Sequence, residues 1–204
     1  MVKIQSPNNL KCGSKKEVKF ICFVDMDGVM TYWLKAACDV CGIDIHEKDL
    51  YSKLKDENML LDKTGYIKEK DMWSKIDKAG TDFWANLEIL PWAKKLIAEM
   101  KKLGDVYFLT SPGTCIPAPS GKMEWIEKHF PDLLEKLIIC KDKEMCANKN
   151  TILIDDSEKK IEAFRDAGGH AFLWPNCLKL LDEDIDVDET LEQLVEEIKG
   201  YICG

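Results

Sequence analysis

Residues 20–31 read FICFVDMDGVMT, and this stretch decides the fold class. Phe20–Val24 is uncharged and rich in aromatic and β-branched side chains. That is the pattern of a strand buried on both faces, as strands of parallel sheets are. Asp25 falls at the C-terminal end of the run and Asp27 in the loop beyond, where Gly28 supplies the backbone freedom of a sharp turn. Open α/β sheets bind ligands outside the carboxyl ends of their strands, so both carboxylates stand where chemistry is done. One carboxylate in such a place can act as a nucleophile, and a second, two residues on, as general acid and base. Two charges that close also call for a cation, and hard oxygen donors suit Mg²⁺.

Working outward, the polar residues 1–17 read as a peripheral lead-in, and the first strand as roughly 18–25. Tyr32–Cys41 lacks Pro and Gly and predicts a helix stopped by Gly42. From about 43 to 90 the charges are dense and helix formers come in short runs broken by Gly65 and Gly80, which predicts a small helical insertion. Its aromatics, Tyr51, Tyr66, Trp73, Phe83 and Trp84, are candidates for the insertion's own core, with a minority facing a ligand. Pro91 opens a helix that Gly104 ends, and Val106–Leu109 is a second strand running into Thr110 and Ser111. Ser120 is placed to cap a helix over roughly 121–130. Leu137–Cys140, Thr151–Ile154 and His170–Trp174 predict three more strands, and a last helix covers about 189–199. Strands alternating with helices predict an α/β fold with a parallel sheet.

The 204 residues are enough for one domain carrying an insertion, and an apolar fraction of 46% is enough for a full core. A net charge of −8 argues against a long nucleic acid as partner and leaves room for a small phosphate ester. The nine cysteines are odd in number and scattered, which suits reduced thiols better than a disulfide framework. Cys38 and Cys41 form a C-x-x-C with no second ligand pair at matching spacing, and read as two thiols on one helix. The N-terminus lacks the apolar core of a signal peptide, and no apolar run approaches the ~20 residues of a membrane span, so the expectation is a cytoplasmic protein.

What ends the strands carries the functional reading. The first gives Asp25 and Asp27, the second Thr110 and Ser111, the third is followed by Lys143, and the fourth gives Asp155 and Asp156. Each has an ordinary explanation alone: a loop D-x-D, a turn before proline, a solvated lysine, a helix cap. Together, at the ends of parallel strands, they share one sheet edge. Carboxylates there can hold a metal and supply a nucleophile, hydroxyls can bind phosphoryl oxygens, and a lysine can offset transition-state charge.

Those four motifs, FVDMDGV, YFLTS, the lysine that ends IICKDK, and ILIDD, resemble the haloacid dehalogenase (HAD) superfamily of phosphohydrolases over about 18–175. The resemblance implies a Rossmann-like three-layer core with a parallel five-stranded sheet, formed by 1–29 and 91–204, and a small helical cap at 30–90. Within the superfamily, DMDGV, TSP, GKMEWIEKHF, KDK and IDD most resemble the 5′(3′)-deoxyribonucleotidases. By that resemblance Asp25 is the nucleophile and Asp27 the acid and base. Mg²⁺ is held by Asp25, the Asp27 carbonyl and Asp156, with Asp155 supporting. Thr110, Ser111 and Lys143 bind phosphate. An aromatic eight residues past the nucleophile, here Trp33, lines the base pocket, and Trp73, Phe83 and Trp84 are further pocket candidates. The animal enzymes follow the fourth motif with Arg-Pro, where this chain has Ser157-Glu158. The expected activity is Mg²⁺-dependent hydrolysis of nucleoside monophosphates, with deoxyribonucleotides first in line. A polynucleotide 3′-phosphatase, a phosphatase of another small ester and a non-catalytic phospho-acceptor remain as alternatives, and a homodimer stays open.

Overall fold

The computed structural model describes residues 20–113 and 115–203. The polar lead-in at 1–17 lies outside the described residues. The sheet has five parallel strands in the order β3-β2-β1-β4-β5. They are β1 (Ile21–Val24), β2 (Asp105–Thr110), β3 (Leu137–Ile139), β4 (Thr151–Asp155) and β5 (His170–Leu173). The first strand is therefore central, and this is why its sequence is apolar on both faces. Alternate residues feed two separate cores. Cys22 and Val24 join Phe108, Ile152 and Ile154 in the larger one, while Phe23 joins Leu109 and Leu153 in the smaller.

Helices cover both faces, giving three layers. The smaller core is closed by Ile161 and Phe164 of α6 (Glu158–Asp166). The larger is closed by α1 (Trp33–Cys41), α4 (Ala93–Leu103), α5 (Ala118–His129) and α8 (Val187–Cys203), with a short α7 (Cys177–Leu181) beside them. Gly42 adopts the left-handed conformation that ends α1, and Cys38 and Cys41 lie buried in that helix as free thiols. Among the described residues no helix is long and apolar enough to cross a membrane.

Between β1 and β2 the chain makes an excursion through α1, α2 (Lys48–Lys55) and α3 (Glu69–Ala85), in which Gly80 interrupts the helical backbone. It leaves and returns at one place. Thr31 and Ile89 form an antiparallel bridge, Tyr32 N donates to Glu88 O at 2.8 Å and Leu90 N to Met30 O at 3.0 Å.

Two expectations need correction. Ser120 does not cap α5: the helix starts at Ala118, because Pro117 and Pro119 preset the helical φ one turn earlier and Pro needs no donor there. The C-terminal part holds two helices rather than one, since CLKLL at 177–181 is too short to show a helical period; Asn176 caps it by accepting from Leu178 N at 2.8 Å.

Candidate active site

Parallel register brings the strand ends level. Val24 pairs with Phe108 on one side and Ile154 on the other, so Asp25 and Asp155 follow at the same height. Oxygens of Asp25, Asp155 and Asp156 lie within 4.8 Å of one another, a group with the composition of a metal centre. Gly28 makes that approach possible. Its φ is +83°, and a Cβ there would sit 2.0 Å from Asp156 Oδ2. Both features favour glycine here, and any side chain would be strained and would push on Asp156.

Lys143, 1% exposed, lies in a short 3₁₀ turn after β3 and spans two of the carboxylates. Its Nζ donates to Asp25 Oδ1 at 2.5 Å and to Asp155 Oδ2 at 2.6 Å. Asp155 Oδ1 accepts from Ser157 N at 3.0 Å. Lys160, on the first turn of α6, stands on the other side, 3.6 Å from Asp155 Oδ1 and 3.8 Å from Asp25 Oδ2.

The electrostatics divide the three carboxylates. Burial pushes Asp25 up, but Lys143, Lys160 and Lys122 outweigh it and hold the carboxyl below the usual range. Burial and the Asp25 charge push Asp155 up. The same two causes, joined by the Asp155 charge, push Asp156 up to about 8. Three carboxylates so close resist full ionisation without more positive charge, and their donors are all hard oxygens, so the set fits Mg²⁺.

Asp27 faces elsewhere. Its Oδ2 accepts from Lys122 Nζ at 2.7 Å, and its Oδ1 from Thr31 Oγ1 at 3.4 Å. Lys122 is a residue that sequence reasoning missed. It is fully buried, donates also to Thr110 Oγ1 at 2.7 Å and Ser111 O at 3.0 Å, and lies 4.9 Å from the centre of the Trp84 ring. Its signal is its position: it shares the buried stripe of α5 with Ala118, Trp125 and Ile126. A lysine on an apolar stripe requires a partner, and here that partner is Asp27. Thr110 is fully buried with its hydroxyl engaged by Lys122, whereas Ser111 borders open space.

That space is a cavity of about 410 Å³ opening on Asp25, Asp27, Asp156 and Lys160. Its far wall is apolar: Trp33, Trp73 and Trp84, with Met59, Leu60 and Leu61 from the loop after α2. The Trp33 and Trp73 rings are 6.0 Å apart. Indole N–H groups of Trp33 and Trp84 are buried without a hydrogen-bond partner. Of the four aromatic candidates, Phe83 is not on the lining. It packs edge-on to Trp84 with ring centres 5.0 Å apart, because adjacent helical residues point about 100° apart and Trp84 takes the inward direction. Asn176 ties the cavity rim to the core, donating to Leu54 O at 2.9 Å and to Asn58 Oδ1 at 2.7 Å.

Comparison with known proteins agrees with the geometry. A haloacid dehalogenase-like family hydrolase from Xanthomonas campestris superposes with a TM-score of 0.56 over 93% of this chain and 95% of its own, at 13% identity. YfnB of Bacillus subtilis, solved bound to magnesium, gives 0.52 over 88% and 98%, at 14% identity. At that identity the likeness shows the HAD fold. A 5′(3′)-deoxyribonucleotidase of Bacillus subtilis strain 168 is 26% identical over 87 residues, 41% of this chain and 48% of that protein. The chain thus spans about half the length of the curated relatives it matches. The family model described as "5' nucleotidase, deoxy (Pyrimidine), cytosolic type C protein" matches residues 19–183, most of the chain, and the chain belongs to that family.

Proposed function

We propose that the protein is a Mg²⁺-dependent phosphomonoesterase that dephosphorylates nucleoside monophosphates, with deoxyribonucleotides preferred, through an aspartyl-phosphate on Asp25. The observation that carries this reading is one juxtaposition. The lysine-clamped carboxylate at the end of β1 lies in the same cavity as a wall of three tryptophans. The volume suits a single nucleotide. Family membership and the deoxyribonucleotidase relatives support the substrate class. The excursion at 30–90 is read as a cap over the core of 1–29 and 91–204, supported by the adjacent exit and return of the chain at Thr31 and Ile89.

Asp25, Asp156 and the Asp27 carbonyl would hold the Mg²⁺, with Asp155 in support. When bound, the ion would neutralise phosphoryl oxygens and orient them for in-line attack. Asp25 is kept ionised by its lysines, as a nucleophile must be. One of its oxygens bonds to phosphorus as the ester P–O bond breaks, and Asp27 gives its proton to the leaving oxygen. Water then attacks the same phosphorus and passes a proton to Asp27. The P–O bond to Asp25 breaks and phosphate leaves. Lys122 orients Asp27 for both transfers through the 2.7 Å contact. Lys143 stabilises the added charge beside Asp25, and Ser111 offers its hydroxyl to a phosphoryl oxygen. The tryptophan wall stacks the base, a contact worth ~1–3 kcal/mol that tolerates different bases.

The test is a panel of nucleoside 5′- and 3′-monophosphates, ribo and deoxy, with a small aliphatic phosphate as control and Mg²⁺ present. The expected result is turnover of the nucleotides at kcat/KM well above the control. Equal kcat/KM on the aliphatic ester would remove the nucleotide assignment.

A further inference from the structure

Lys143 and Lys160 approach the aspartate cluster from opposite sides and differ in kind. Lys143 is 1% exposed and holds Asp25 Oδ1 and Asp155 Oδ2 at hydrogen-bond distance. Lys160 faces the two oxygens that Lys143 leaves, Asp25 Oδ2 and Asp155 Oδ1, at the longer separations of 3.8 and 3.6 Å. Its side chain is 32% exposed and lines the cavity, so it has room to swing toward solvent. An ammonium on a flexible four-carbon stem is a compact, mobile point charge. Asp25 and Asp156 line the cavity, as Lys160 does, so a divalent ion that reaches the cluster from that side meets the Lys160 ammonium.

We propose that Lys160 is an internal stand-in cation: it neutralises the aspartate cluster of the metal-free protein and has to be displaced for a divalent ion to bind. The inference rests on reading that cluster as a Mg²⁺ site. Lys160 thereby sets the metal affinity, weakening it, while it protects the metal-free fold from the mutual repulsion of two buried carboxylates and a half-buried third. Lys143, locked on the opposite side, is a permanent partner and does not compete.

Isothermal titration of Mg²⁺ into the chelator-stripped full chain, with thermal melts in parallel, tests this on the wild type, Lys160→Met and Lys160→Arg. Lys160→Met is expected to bind Mg²⁺ about tenfold more tightly, the scale of a unit charge removed from a few ångströms of a divalent ion at a solvent-facing site. Its metal-free form should melt below the wild type, and saturating Mg²⁺ should close the gap. Lys160→Arg, which keeps the charge, should bind within about threefold of the wild type. Should Lys160→Met not fold without metal, Lys160→Gln serves in its place. Equal or weaker Mg²⁺ binding by the neutral variants overturns the role of Lys160 and leaves the metal site standing. No Mg²⁺ binding by any of the folded proteins overturns the metal site itself, and this inference with it.

Discussion

Replacing Lys122 by Met should separate the buried machinery behind Asp27 from the surface of the site. The substitution keeps the length of the side chain and removes the charge. It deletes contacts to Asp27 Oδ2 at 2.7 Å, Thr110 Oγ1 at 2.7 Å and Ser111 O at 3.0 Å. Breaking a buried ion pair by removing one partner costs about 3–5 kcal/mol. The Asp27 side chain is 28% exposed, so water recovers part of that, and we expect about 3 kcal/mol. For a chain of this size that is a fall in Tm of about 6–12 °C. Asp27 would then lose the contact that aims it. General acid–base catalysis is worth about 10²–10⁴-fold, so kcat should drop by about 10²-fold with KM within ~3-fold. Melting curves and steady-state kinetics on one nucleotide substrate measure both. An unchanged Tm with unchanged kcat would refute the coupling of Lys122 to Asp27. A loss confined to KM would move Lys122 from Asp27 to the substrate.

Other residues give equally specific outcomes. Gly28→Ala drives a Cβ to 2.0 Å from Asp156 Oδ2 at a φ of +83°, so Mg²⁺ affinity and activity should both fall by an order of magnitude or more, as titration calorimetry and kinetics would record. Trp33→Ala should raise KM for nucleotides by up to ~10-fold and leave a small aliphatic phosphate nearly unaffected; equal loss on both removes Trp33 from the base pocket. The metal-free protein should lose stability as pH rises. Asp156 shifts from its ordinary 3.8 to about 8 on folding, so over that window the folded chain binds more protons than the unfolded one, and stability falls until the pH passes about 8. Mg²⁺ requires the ionised form, so the gain in Tm on adding it should widen between pH 6 and 8.5; a gap independent of pH counts against this.

The sheet was legible because its strands are short apolar runs, three of which stop at polar residues. FICFV before Asp25 and TILI before Asp155 mark both the strand and the carboxylate at its C-terminal end. β1 carries no polar face, which fits its place in the middle of the sheet. Lys143 was legible as a lysine close behind a strand end, and its span of Asp25 and Asp155 was not, because that contact joins positions far apart in the chain. Lys122 and Lys160 are two of 29 basic residues, and only packing distinguishes them: one falls on the apolar stripe of α5, the other beside Ile161 on α6. Asn176 and Asn58 carry no signal in the sequence, although their side chains join the cavity rim to the core. Phe83 and Trp84 were equivalent as aromatics, and only their directions on α3, about 100° apart, put Trp84 on the cavity and Phe83 off it.

The claim on which the rest depends is covalent phosphorylation of Asp25. Rapid quenching of the enzyme with substrate, followed by borohydride reduction of acyl phosphates and peptide mapping by mass spectrometry, reads it directly. Reduction to the alcohol is expected at position 25, dependent on substrate and on Mg²⁺, and absent in Asp25→Asn, whose activity should lie several orders of magnitude below the wild type. Modification at Asp27, Asp155 or Asp156 instead, or full turnover by Asp25→Asn, would contradict it.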